Sequence, residues 1–209
     1  MARPKASAAA DSRRRVLTAA AAEFAGRGYA GANMDRIARA ARLNKAMIYY
    51  HFKSKAALYR EILRDMFEAV RDDVAQVAAA PIEPDEKIRR YVEVIATAAA
   101  ARPHFPPIWL REVAEGGEHV DAATLDYLRG VLGSLDRIIT DGRRAGRFQA
   151  VPAMMLHAGI IAPLMFFLAT APLRRKIQRH VTAGPLSLSR DVVIAQIQRV
   201  ALAQLEGKI

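Results

Sequence analysis

From Asp11 onward, the apolar residues of this 209-residue chain return every three or four positions. Short, turn-bounded runs with strand-like alternation are absent, and alanine and arginine, both strong helix formers, dominate. The pattern predicts an all-α fold. A first helix begins at Asp11 or Ser12, buries Val16 or Leu17, Ala20, Ala21 and Phe24, and ends at Gly26–Arg27–Gly28. Asn33 caps a short second helix with Met34, Ile37, Ala38 and Ala41 on one face. Residues 42–44 form a tight turn, and Asn44 caps a third helix that runs through Phe52. Ser54 caps a long fourth helix with Leu58, Ile62, Leu63, Met66, Phe67, Val70 and Val74 inside. It stops before Pro81 and Pro84, which mark a domain boundary.

Four or five helices follow. The first runs from Asp85 to about Ala101 and presents Ile88, Tyr91, Val92, Ile95 and Ala99 on one side. "PHFPP" at 103–107 reads as a rigid break, and the shorter helix containing Trp109 ends at Gly116–Gly117. A segment from about Asp121 to Ala145 carries a stripe of Leu125, Leu128, Leu132, Leu135 and Ile139. An apolar helix at 152–171, a basic cluster, a loop around Gly184–Pro185 and a last helix at about 189–206 complete the chain. The 152–171 and 189–206 helices are more apolar than one core requires, which suggests the interface of a homodimer.

Charge divides the chain unevenly. Residues 1–60 hold 13 Lys and Arg against three acids, whereas the rest is close to neutral. Such asymmetry points to a nucleic-acid or anionic-membrane surface on the first domain. The opening "MARPKASAAADSRRR" lacks the apolar core of a secretory peptide, and residues 1–10 read as a disordered basic arm. With no cysteine there are no disulfides or thiolate metal sites, and a cytoplasmic setting is expected. Residues 150–173 carry no charge and approach membrane-spanning length. Pro152, Pro163, Pro172 and His157 interrupt them, which favours a helix buried on several faces and no membrane partner.

"LNKAMIYYHFKSKAAL" at 43–58 mixes aromatic and cationic side chains as a core helix would not. Two short helices joined by a three-residue turn, the second rich in basic and hydrogen-bonding groups, form a helix-turn-helix pattern over about 33–52. Ile48 and Phe52, four apart, hold the third helix down, while Lys45, Met47, Tyr49, Tyr50 and His51 spread over its other faces. Lys55 opens the fourth helix, where free backbone N–H groups favour an anion.

The stretch "GYAGANMDRIARAARLNKAMIYYHFKSKAAL" resembles the TetR family of bacterial transcriptional regulators. The resemblance is carried by Gly28–Tyr29, Ile37–Ala38, Tyr49–Tyr50–His51–Phe52, Lys55 and Leu58, and covers about residues 11–60. It implies a DNA-binding domain at 11–60, a connecting helix at 61–80 and a ligand-binding and dimerising domain at 81–209. It also implies a dimer reading a palindromic double-stranded operator through Asn33, Arg42, Asn44, Lys45, Met47, Tyr49, Tyr50, His51 and Lys55. The implied effector is a largely apolar small molecule, with Tyr91, Phe105, Trp109, Tyr127, Met155, His157 and Phe166 as candidate lining. Arg42–Leu43–Asn44 replaces the family's usual Gly-Val-Ser turn, so a positive φ there would be strained.

Other chemistries find little support. Gly26, Gly28 and Gly31 spell a Gly-x-Gly-x-x-Gly, but it follows a helix and no acid lies about 20 residues on. Glu112, Glu115, Glu118 and His119 read as a solvated loop rather than a metal site. No nucleophile elbow, Cys–His pair or phosphate loop occurs, so no catalytic residues and no cofactor are expected. One rival remains: a basic helical protein on a membrane surface, resting on the N-terminal charge and the 150–173 segment.

Overall fold

The computed structural model describes residues 5–180 and 188–208. Among the described residues there are ten helices and no strand. The first three are α1 (Lys5–Gly31), α2 (Met34–Ala41) and α3 (Lys45–Phe52); α4 (Lys55–Ala79) follows. Then come α5 (Pro84–Ala100), α6 (Phe105–Ala114), α7 (Ala122–Arg144), α8 (Ala153–Ala169), α9 (Ala171–Gln178) and α10 (Arg190–Leu205). The expected loop at Gly184–Pro185 falls outside the described residues.

Local chemistry accounts for the boundaries in the first third. Asn33 Oδ1 accepts from the backbone N–H groups of Asp35 and Arg36, Asn44 from that of Met47, and Ser54 from that of Ala57. The buried residues of α2 are the expected four, and those of α3 are Ile48 and Phe52. Helix α1, however, already begins at Lys5, six residues before the expected cap. The alanines at 6 and 8–10 extend it, so residues 5–10 are helical rather than a disordered arm. Ser12 therefore sits within the helix. At Gly28, with φ 68° and ψ 176°, α1 breaks as the Gly-Arg-Gly ending anticipates.

Three further expectations shift. Pro106 and Pro107 lie in the first turn of α6, where missing N–H donors cost nothing, so the "PHFPP" segment starts a helix instead of only breaking one. On α7 the core face is Val131, Ser134, Leu135, Ile138, Ile139 and Gly142, and Leu125 is exposed. The leucine stripe ran partly along the wrong side. On α4, Phe67 is only partly buried.

The buried residues form one contiguous apolar cluster from Val16 to Leu205. Its spine is α4, about 37 Å long at 1.5 Å per residue, which packs on α1 near its start and along α7 and α5 beyond. Lys87, buried between these elements, donates to Ala78 O at 2.9 Å and to Asp141 at 3.2 Å. No single described helix is long and apolar enough to cross a membrane. Only α8 and α9 taken together reach that length and composition, and they are bent by 52°.

The end of α7 is closed by the ring of Phe148 lying on Gly142, so closely that a Cβ there would overlap the ring. Gly142→Ala should destabilise the fold by about 2 kcal/mol or more. Chemical denaturation checks this, with Gly133→Ala, whose Cβ would meet open space, as the control.

Candidate nucleic-acid interface and effector cavity

Helix α3 presents both aromatic and cationic side chains to solvent. Tyr49 and Tyr50 are 41% and 75% exposed, beside exposed Arg42, Asn44 and Lys45 and half-buried Met47. Such a surface is unstable as core and suited to a polar, anionic partner. Lys45 Nζ lies 3.1 Å from Asp35 on α2, an exposed pair that a phosphate or base edge could replace at little cost.

The support beneath this surface comes largely from α1. Arg15 donates to the carbonyls of Ala41 and Arg42, Ser12 Oγ lies 2.7 Å from His51 Nε2, and the Arg13 guanidinium stands over the Phe52 ring. Glu23 accepts from Arg36 Nε at 2.7 Å and from the Asn33 N–H at 3.1 Å. Burial alone would raise the Glu23 carboxyl, but these bonds and the Arg36 charge hold it below the usual range.

Two of the expected DNA contacts also have partners within the chain. Half-buried His51 is engaged by Ser12, and Lys55 Nζ lies 3.3 Å from Ala30 O and 4.7 Å from the Tyr29 ring centroid. The lysine at the start of α4 thus reaches the end of α1, where carbonyls lack helical partners. The turn before α3 does carry the strain its sequence implies. Arg42 adopts φ 53° and ψ 47°, and Lys53, just after α3, has φ 58°. These are the two positive-φ residues other than glycine among the described residues, and they bracket the helix.

The "EVAEGGEH" segment is not the solvated loop expected of it. Glu112 is fully buried, accepting from Tyr59 Oη at 3.0 Å and from the His119 N–H at 2.6 Å, with His119 Nδ1 at 3.2 Å. Burial, then the neighbouring Glu112 charge, pushes the Tyr59 hydroxyl above its usual range. Glu115 and His119 bring donor atoms within 4.8 Å of one another and of Glu112, whose oxygens are already satisfied within the chain. The His119 ring packs on Tyr29 at 3.9 Å between centroids, and Arg111 Nη1 donates to Phe24 O and Ala25 O.

A cavity of about 380 Å³ lies between α4, α5, α6, α7 and α8. Met66, Phe67 and Val70 face it from α4, Phe105, Trp109 and Leu110 from α6, and His157, Ile161 and Met165 from α8. Exposed Val113 and Met154 also line it. Of the expected lining residues, Phe105, Trp109 and His157 are present. Tyr91 stands behind His157, its hydroxyl 2.9 Å from Nδ1. Three are not: Tyr127 lies under Arg71, and Met155 and Phe166 point outward at 62% and 64% exposure. On α8 each is one residue, about 100°, from the neighbour that does line the cavity. The α4 contributors were read as ordinary core, because a cavity wall and a core share one periodicity.

Comparison with known proteins matches this arrangement. Residues 16–62 match the description "Bacterial regulatory proteins, tetR family", and residues 84–187 match "Tetracyclin repressor-like, C-terminal domain". The chain is 30% identical over 191 residues to the HTH-type transcriptional repressor SCO4008 of Streptomyces coelicolor, covering 89% of this chain and 93% of that one. It is 29% identical over 155 residues to the HTH-type transcriptional repressor NicS of Pseudomonas putida, covering 73% of each. The fold is similar to the transcriptional regulator FadR of Bacillus subtilis, solved in complex with stearoyl-CoA. That match has a TM-score of 0.71 at 14% identity and covers 92% of this chain and 98% of that one.

Two stability changes follow from the geometry. Arg42→Gly should raise stability by about 1 kcal/mol, since glycine accepts the left-handed turn without a Cβ penalty; thermal unfolding checks it. Burial lowers His157 from 6.5 to about 4. Its neutral form therefore favours the fold above pH 6.5, and up to about 3 kcal/mol is lost as pH falls from there to 4. Denaturation midpoints across that window should fall less steeply for His157→Gln than for the wild type.

Proposed function

This chain belongs to the tetR family of bacterial regulatory proteins and is a helix-turn-helix transcriptional regulator rather than an enzyme, and on that premise we infer that it is a homodimeric repressor whose apolar effector enters the cavity beside Trp109 and releases it from a palindromic operator. One observation carries this reading: the helix that follows the α3 surface, α4, is also a wall of a strongly apolar cavity. SCO4008 and NicS, both repressors, support the sign of regulation. FadR, solved with stearoyl-CoA, supports an apolar effector on this fold.

In this reading residues 11–60 read DNA, residues 61–80 connect, and residues 81–209 bind effector and dimerise. Lys45, Met47 and Tyr49 supply groove contacts, and Arg42 and Tyr50 contact phosphates. Asn33 and Asn44 cap the two helices, while His51 and Lys55 hold them to α1. The dimer seam is the outer face of α8, where Met155, Gly159, Pro163 and Phe166 are exposed at helical spacing, together with Val192 and Val200 of α10. An effector favouring one spacing of the two α3 helices shifts the population away from the DNA-bound form.

Selection from random duplex DNA at two salt concentrations tests the reading. A palindrome should emerge, with affinity falling steeply as salt rises. Lys45→Ala should then weaken binding to that site by about tenfold, without loss of helicity. Recovery of no preferred sequence would overturn the operator reading.

A further inference from the structure

The cavity is almost featureless electrically. Among the described residues no Lys, Arg, Asp or Glu lines it, and apart from the Trp109 indole His157 is the one side chain there with a strong hydrogen-bonding atom. An ionised ligand placed there would lose its water and gain no opposite charge.

The chemistry His157 offers is set by its neighbour. Tyr91 is fully buried, and its hydroxyl has a single hydrogen-bond partner, His157 Nδ1 at 2.9 Å. A buried hydroxyl left without an acceptor is costly, so its proton is directed to that nitrogen. Nδ1 can accept only if the ring proton is on Nε2. Burial, which holds His157 near pKa 4, keeps the ring neutral at ordinary pH. Nε2–H then has no partner among the described residues, while His157 lines the cavity.

Resting on the effector-cavity reading above, we propose that this cavity selects an uncharged, largely apolar molecule bearing a hydrogen-bond acceptor, a carbonyl or ether oxygen, that receives the Nε2 proton of His157. Tyr91 is the positioning residue, because it fixes the tautomer without touching the ligand. The acceptor sets the orientation of an otherwise greasy molecule against Trp109 and Phe67.

Two measurements test this. Nitrogen NMR of the full-length protein should show His157 protonated at Nε2 and bare at Nδ1, with the distinction lost in Tyr91→Phe. Finding the proton at Nδ1 in the wild type would overturn the proposal whatever the cavity binds. The second uses Trp109, the only tryptophan in the chain, as a fluorescent reporter. Benzophenone should bind about fivefold more tightly than diphenylmethane, which has the same shape without the oxygen. The charged 4-benzoylbenzoate should bind more weakly than either. In the double variant Tyr91→Phe/His157→Leu, which removes both polar partners together, the ketone's advantage should vanish while diphenylmethane still binds. Equal binding of ketone and hydrocarbon by the wild type would overturn the acceptor requirement and leave the cavity reading intact. If neither probe binds, the cavity reading falls and the proposal falls with it.

Discussion

A carboxylate cut off from water must find its hydrogen-bond donors inside the protein, and Glu112 finds them on two other parts of the chain. Tyr59 reaches it from α4, and the backbone and ring of His119 reach it from the segment after α6. His119 packs on Tyr29, which lies under the Lys55 ammonium, and Arg111 holds the carbonyls at the end of α1. A buried anion tolerates no loosening of these contacts, since each lost donor leaves charge unpaired. The joint between the first three helices and the remainder is therefore polar, with its hydrogen bonds satisfied within the chain.

That joint gives α4 its meaning. Its first turns pack on α1 and α3, and three turns later Met66, Phe67 and Val70 are a wall of the cavity. In the proposed mechanism α4 is the element through which a displacement at the cavity would reach α1 and α3. Strain at Arg42 and Lys53, on either side of α3, is tolerable because Arg15, Ser12 and Arg13 hold that helix from below.

The cavity works by contrast with this polar joint. Its walls are almost wholly apolar, and such walls by themselves discriminate poorly between apolar molecules, because one methylene more or less is worth little. His157, with Tyr91 behind it, is where the proposed discrimination would arise. The same two rings join α5 to α8, so the proposed recognition would use groups that already take part in the packing.

Much of the molecule was legible in the sequence. The bounds of α2 and α3, their Asn caps, the four buried residues of α2 and the long α4 follow from interactions within a few residues, which a sequence displays directly. So do the charge asymmetry and the mixed surface of α3. What only tertiary structure decided involves partners far apart in the chain. These include which way α7 turns its leucines, and that Met165 rather than Phe166 meets the cavity. They also include the committal of Lys55 to α1 and the complete burial of Glu112 in a segment that looks solvated. Periodicity fixes that a helix has an inner face. The identity of that face, and whether it packs solid or leaves a void, depends on the shapes of neighbours dozens of residues away, which no local pattern contains.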